Sequence, residues 1–228
     1  ELRHPETAGW LKEHAKLDEI AVQAMMVEDA RPRLLRRKDG LIVVLRSVNL
    51  NAGAEPEDMI SVRIWCDAAR VITLRSPRLQ TIQAIREQIE AGDGPGSPGA
   101  ALVELVAGLT ERIGPVIDRI DHETDELEDA VSTRPVEHLR SRIAETKRRV
   151  IAIRRYISPQ RDALLLLAAD QSAWLTDLQR AHFRESADRL TRFVEDLDEL
   201  RDREVVIHEE LAGRLSERMR GFLRLRSA

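Results

Sequence analysis

The fold is decided by the stretch from residue 180 to residue 219, which reads RAHFRESADRLTRFVEDLDELRDREVVIHEELAGRLSERM. Its apolar residues recur every three or four positions, the spacing of an amphipathic helix or a coiled-coil seam. They are Leu190, Phe193, Leu197, Leu200, Ile207, Leu211 and Leu215. These 40 residues would form a helical rod about 60 Å long. Because such a rod is longer than the diameter of a domain of this size, we expect it to project from the body of the protein or to be covered by partner subunits.

Two further helical patterns precede the long one. The first spans about residues 100–131, and the second starts near Val136 and follows alternating steps of three and four residues. We expect the second helix to end at Ser158, because a residue before proline is pushed out of the helical region. A loop with four glycines and two prolines, AGDGPGSPG at residues 91–99, comes before all three patterns.

Residues before that loop read as a small sheet with helices. Strand patterns occupy residues 33–36, 41–45, 59–66 and 70–74, and the third alternates apolar and polar side chains. We therefore predict an α+β fold with an α/β module at residues 1–95 and a helical stalk region at residues 96–228. The module is a small mixed, mostly antiparallel sheet flanked by helices. The stalk is coiled-coil-like and contains one long helix over about residues 180–219.

Composition excludes several classes of function. Lys and Arg number 36 against 40 Asp and Glu, a net charge of -4, which argues against nucleic acid as a partner. A single cysteine excludes an intrachain disulfide. The sequence has no phosphate-binding loop, nucleophile elbow or His-Glu-x-x-His motif, so we expect neither an enzyme nor a bound cofactor. The longest apolar run, residues 163–169, is far shorter than the roughly 20 residues of a membrane span, and we expect this chain to be soluble.

One helix face carries candidate metal ligands. Asp118, His122, Asp125 and Glu126 follow the spacing i, i+4, i+7, i+8 in the first long helical pattern. An imidazole and three carboxylates on one face suit a divalent cation, and we expect weak, pH-sensitive binding of zinc or magnesium. The same spacing also fits an ordinary solvated acidic face.

A second candidate is the i, i+4 pair of Glu204 and His208 on the long helix. It supplies only two ligands, so a neighbouring subunit would have to complete a tetrahedral site.

Six short stretches carry a family resemblance. They read EDARPR at residues 28–33, GLIVVLRSVN at 40–49, PEDMISVRIW at 56–65, RVITLR at 70–75, RRYISPQRDAL at 154–164 and LSERM at 215–219. Together they resemble the cytoplasmic domain of CorA-type divalent-cation transporters, and more narrowly the zinc-transporting ZntB branch. The resemblance covers almost the whole chain, and the ISPQRDAL block is its most specific part.

The resemblance implies both an assembly and a function. Members are homopentamers whose cytoplasmic domain forms a funnel, with the α/β module outside and the long helix lining it. That helix continues into the membrane, and a Gly-Met-Asn signature follows the first span; neither the span nor the signature is in this sequence. The resemblance therefore implies that the full-length protein is a zinc transporter at the cytoplasmic face of the bacterial inner membrane. This chain would shape and regulate the ion path.

Two alternatives stay open at this point. A CorA-type magnesium channel would share the fold and differ in carboxylate pairs that meet between subunits. A soluble helical scaffold that has lost transport would share the fold without the spans.

Overall fold

The computed structural model describes residues 1–133 and 139–226, the side chains at positions 132, 133, 218 and 221–226 excepted. This part of the chain contains four strands and seven helices. In chain order they are α1 Thr7–Glu13, α2 Glu19–Met26, β1 Arg33–Arg36, β2 Leu41–Ser47, β3 Ile60–Cys66, β4 Val71–Arg75, α3 Gln80–Ala91, α4 Pro98–Glu111, α5 Gly114–Thr133, α6 Leu139–Ala168 and α7 Asp177–Arg226.

The sheet is a meander in the order β1-β2-β3-β4, and every neighbouring pair is antiparallel. The predicted fold class is confirmed, but the described sheet is wholly antiparallel rather than mixed. The reason is the length of the connections, since loops of four residues join β1 to β2 and β3 to β4. A parallel pair would need a crossover of a dozen residues or more.

Both faces of the central strands are covered. Ile60, Val62, Ile64 and Cys66 share one face, as their alternation predicts, and lie in the main hydrophobic cluster with residues of α4 to α7. The opposite face packs against α1 and α2 in a second cluster. Gly40, before β2, must be glycine because a Cβ there would lie 2.7 Å from the Cys66 carbonyl oxygen. The main cluster therefore joins strands from the α/β module to helices from the stalk region.

The first helical pattern of the stalk region forms two helices rather than one. The prediction of a continuous helix over residues 100–131 is wrong, because α4 ends at Glu111 and α5 begins at Gly114. Pro115 accounts for the break: it lacks the N–H that a continuing helix needs but fits the first turn of a new one.

The second pattern runs further than expected. The predicted end at Ser158 is wrong, since α6 continues through Pro159 to Ala168. Buried contacts outweigh the cost of an internal proline, roughly 3 kcal/mol. Gln160, one residue beyond, is buried and its Oε1 accepts a hydrogen bond of 2.6 Å from the backbone N–H of Arg46. Val136, at the predicted start of this helix, lies outside the described residues.

The long helix α7 is confirmed and is longer than the apolar pattern indicates. Its 50 residues correspond to a rod of about 75 Å. A reciprocal cap begins it, because the Gln179 N–H donates to Thr176 Oγ1 at 3.2 Å while the Thr176 N–H donates to Gln179 Oε1 at 3.0 Å. Helices α5, α6 and α7 pack side by side and form the stalk.

Candidate functional site

The predicted ligand residues of α5 lie on one solvent-facing stripe. Asp118, His122, Asp125 and Glu126 are all exposed, while Ile117, Ile120 and Leu127 on the other side of the helix are buried. The His122 Nε2 atom lies 3.8 Å from Glu126 Oε1. The sequence pattern therefore assigned the two faces of this helix correctly.

Arginines from neighbouring helices already bind two of these carboxylates. The Arg142 guanidinium lies 3.0 Å from Glu126 Oε2, and Arg203 donates to Asp125. Among the described residues, no three His, Cys, Asp or Glu side chains are placed to hold one metal ion together. The four-residue ligand set therefore stays a prediction, and a metal would have to displace these guanidinium contacts.

Arg203 belongs to this candidate site but was not predicted from the sequence. From α7 its Nε donates to Glu128 at 2.8 Å and its Nη1 to Asp121 at 2.7 Å, in addition to the contact with Asp125. The hydrogen bonds that Arg203 donates to Glu128, and then those to Asp125 and Asp121, raise the pKa of Arg203 above its ordinary value. The sequence does contain a pattern that indicates a cation at this place, since the acids at 121, 125 and 128 follow the i, i+4, i+7 spacing of one helix face. This network ties α5 to α7.

An acidic groove lies beside Arg203, between α5 and α7. Asp118 and Asp121 line it from α5, and Asp196 and Glu199 from α7, around a space of about 310 Å³. Partial burial raises the pKa of Asp196, and the nearby charges of Glu199, Glu195, Asp118 and Asp121 raise it further. Four carboxylates and the guanidinium of Arg203 line the groove, so negative charge is in excess there. Such a groove attracts cations.

The second predicted pair does not form a site. Glu204 is buried in the stalk with 1% of its surface exposed, whereas His208 is exposed on the surface of the same helix. A metal ion could not contact both from solvent. Within this chain, the burial of Glu204 argues against the prediction that Glu204 and His208 act together as ligands. The i, i+4 rule places two residues on neighbouring turns but does not say which side of the helix is covered.

Comparison with known proteins identifies the family. The family described as CorA-like Mg2+ transporter protein matches residues 1–225.

The chain belongs to the CorA-like family.

Among curated relatives of this CorA-like chain, the divalent cation transporter CmaX of Pseudomonas aeruginosa is 38% identical over 220 residues. The zinc transport protein ZntB of Yersinia enterocolitica is 30% identical over 216 residues. The alignments cover 94% and 95% of this chain but only 65% and 66% of CmaX and ZntB. The resemblance predicted from the six stretches is confirmed, and the CorA-like chain spans just under two thirds of the length of these relatives.

Solved structures agree with the family assignment. Full-length CmaX superposes with a TM-score of 0.91 at 36% identity, covering 99% of this CorA-like chain and 70% of CmaX. The ZntB cytoplasmic domain from Vibrio parahaemolyticus gives 0.83 at 25% identity, covering 95% and 86% of the two chains. The CorA magnesium transporter of Methanocaldococcus jannaschii gives 0.82 at 14% identity, a likeness of fold alone. None of the helices that the structure describes is both long and apolar enough to cross a bilayer.

Proposed function

We propose that this chain is the cytoplasmic part of a divalent-cation transporter of the bacterial inner membrane, with zinc as its cargo. The observation that carries the proposal is the match of 99% of the chain to 70% of full-length CmaX. The ZntB relatives support zinc, since that metal stands in their name. A membrane segment would be supplied by sequence beyond the part aligned here.

The transport proposal is tested with the complete gene product in liposomes that contain a fluorescent indicator. We expect zinc to enter, with slower or no entry of magnesium. Entry of neither ion would contradict the proposal and favour a scaffold that has lost transport. Entry of magnesium alone would favour a CorA-type channel.

We propose further that the chain assembles as a homopentamer, with the α/β module of residues 1–95 outside and the stalk lining a funnel. Apolar side chains on the outside of α7 support assembly, since Val206 is 63% exposed and its neighbour Val205 is also exposed. In sedimentation velocity, association should increase with concentration and weaken in Val206→Glu. The matched control is Ile20→Glu, an equally exposed apolar position on α2. A monomer at every concentration would contradict assembly through this part of the chain.

The carboxylate lining of the acidic groove supports magnesium as a second candidate for an ion that binds to the stalk. The acidic groove offers carboxylate oxygens, which hard cations prefer, whereas the stripe on α5 adds the imidazole of His122, which suits zinc. The two proposed sites share Asp118 and differ in their other ligands, since His122 belongs only to the stripe and Asp196 only to the groove.

Calorimetry on the 228-residue chain separates these proposals. We expect weak zinc binding that falls several-fold in His122→Ala at about pH 7.5, because the variant lacks the imidazole nitrogen and keeps only carboxylate ligands. Asp196→Asn should weaken magnesium binding and leave zinc binding unchanged. The exposed Glu217→Gln is the control for loss of one negative charge. Equal zinc affinity with and without His122 would remove the stripe as a metal site.

A further inference from the structure

The stalk contains a buried polar layer, which we define as Thr124 of α5, Thr146 of α6 and Glu204 of α7. All three are buried, with at most 4% of their surface exposed. The neighbouring turns of the same helices are apolar. On one side of the layer lie Ile120, Val150 and Leu200 of the main cluster, and on the other Leu127, Ile143 and Ile207 of a separate third cluster. One polar residue from each helix therefore divides the apolar seam of the stalk in two.

Both threonine hydroxyls of the polar layer donate their protons to backbone carbonyls of their own helices. Thr124 Oγ1 donates to the Ile120 carbonyl at 2.9 Å, and Thr146 Oγ1 donates to the Arg142 carbonyl at 3.1 Å. Both hydroxyl protons are thus in use, while the hydroxyl oxygens keep lone pairs that can accept.

Neither carboxyl oxygen of Glu204 has a hydrogen-bond partner among the described residues. A carboxylate can only accept hydrogen bonds, whereas a protonated carboxyl also has a proton to donate. The layer has no free hydroxyl proton to offer but does have acceptors. It is therefore better suited to the acid form of Glu204 than to the anion.

The charged groups near the layer lie outside it and are mostly paired with one another. From α5, Glu123 pairs with Arg149 of α6, and on α7 His208 faces solvent. Other acids of α5 near this level are also paired: Asp121, Asp125 and Glu128 bind Arg203, and Glu126 binds Arg142. Lys147 of α6 is the charged group among the described residues that acts on Glu204, and its ammonium favours the anion. Lys147 itself is exposed, so solvent weakens its effect.

We propose that Glu204 is a proton-binding site inside the stalk, and that proton uptake there stabilises the packing of α7 against α5 and α6. A proton requires only this one carboxyl, whereas a metal ion would require further ligands that the described residues do not bring to it. Burial raises the pKa of Glu204 to about 7, and Lys147 opposes part of that rise. The site would therefore load and unload near neutral pH.

The direction of the effect on stability follows from linkage. An unfolded glutamate ionises near its ordinary pKa of about 4.5, whereas the folded one holds its proton to about 7. Below the lower value both states are protonated and Glu204 costs no stability by ionising. As the pH rises between the two values, Glu204 ionises in the unfolded state only, so the free energy of the unfolded state falls relative to that of the folded state. Above about pH 7 Glu204 is ionised in both states and no further stability is lost. The unfolding equilibrium constant is then on the order of a hundredfold larger than at pH values below both pKa values.

The test compares wild type with Glu204→Gln in the 228-residue chain by urea unfolding from about pH 5 to about pH 8. Glutamine keeps the shape and removes the titration. We expect the unfolding equilibrium constant of the wild type, relative to the variant, to rise on the order of a hundredfold across this range. Glu209→Gln, an exposed position on the same helix, removes the same charge and should show no such rise. Parallel pH curves for wild type and Glu204→Gln would overturn the proposal.

A second measurement does not depend on how well the variant folds. In infrared difference spectra of the native wild type, a protonated carboxyl gives a carbonyl stretch that a carboxylate lacks. We expect one such band at about pH 6 that disappears near about pH 8 and is absent from both Glu204→Gln and Glu204→Leu. A wild type without this band at about pH 6 would show that Glu204 is ionised and would overturn the proposal.

Discussion

Two charged side chains, one in the α/β module and one in the stalk, are buried to the same extent but have opposite surroundings. Arg63 of β3 is 1% exposed, and its guanidinium donates to the backbone carbonyls of Val27 and Glu28, just after helix α2. Glu204 of α7 is equally buried, but neither of its carboxyl oxygens has a hydrogen-bond partner among the residues that the structure describes. A buried charge is tolerated when hydrogen bonds replace water. The charge in the sheet is therefore a permanent structural element, whereas the fold can neutralise the charge in the stalk by protonation.

The surroundings of the two residues extend this contrast. Apolar clusters cover both faces of the central strands. The stalk has one apolar seam, and ion pairs join its helices at the surface, including Arg154 to Asp198 at 2.6 and 2.9 Å. Hydrophobic burial depends little on pH and moderate salt, whereas exposed ion pairs depend on both. We therefore expect the packing of the central strands to depend less on pH and salt than the packing of the stalk helices does.

The largest effect is expected from a charge placed in the stalk seam. Leu197 of α7 is fully buried in the main cluster. Leu197→Asp should lower the free energy of unfolding by more than about 4 kcal/mol, because the carboxylate would lose hydration without gaining a partner. Urea unfolding followed by circular dichroism measures this change. Leu178→Asp, on the same helix at a position 68% exposed, should cost less than about 1 kcal/mol. An unchanged melting temperature for Leu197→Asp would contradict the packed seam.

A smaller effect is expected from removing the buried cation of the sheet. Arg63→Met should cost about 3 kcal/mol, because it leaves the Val27 and Glu28 carbonyls unpaired. The cost should be the same at about pH 5 and about pH 8, since arginine stays charged throughout. Arg86→Met, which removes only an exposed pair with Glu90, is the control. A cost for Arg63→Met that varied with pH would break the contrast with Glu204.

The smallest change in stability is expected from the surface network of the stalk. Arg203→Gln should cost about 1 kcal/mol at low ionic strength, because Asp121, Asp125 and Glu128 lose their shared counter-ion. The cost should fall towards zero in about 1 M salt. Thermal unfolding in a salt series gives both values, with Arg63→Met as the salt-insensitive reference. If the two variants showed the same salt dependence, the ionic description of the stalk would fail.

The sequence predicted the parts of the fold that depend on local periodicity. The third strand, predicted at residues 59–66, follows from the alternation of its side chains, and the long helix follows from the three-to-four spacing of its apolar residues. Errors arose where tertiary contacts outweigh local preference, as at Pro159, where the buried contacts of Gln160 keep α6 intact. At Pro115 the opposite error arose. The apolar pattern of the sequence continues across residue 115, but the proline imposes a break between two helices.

The candidate site was harder to predict, because its contacts join different helices. Arg203 binds acids that lie 75 to 82 residues earlier in the chain, and no local sequence pattern predicts such a pairing. The i, i+4 spacing predicted that Glu204 and His208 are a pair of metal ligands. A signal against this was available, since residue 204 is seven positions from both Leu197 and Leu211 and so shares their buried stripe.

The contrast between sheet and stalk is tested most directly by hydrogen–deuterium exchange of the 228-residue chain at about pH 6 and about pH 8, corrected for the intrinsic effect of pH on exchange. Local opening of each region is then measured in one molecule. We expect amides of α5, α6 and α7 around the polar layer to lose protection at the higher pH, those of β2 and β3 to keep it, and Glu204→Gln to remove the difference. Equal losses in sheet and stalk, or a stalk whose loss persists in Glu204→Gln, would contradict this expectation.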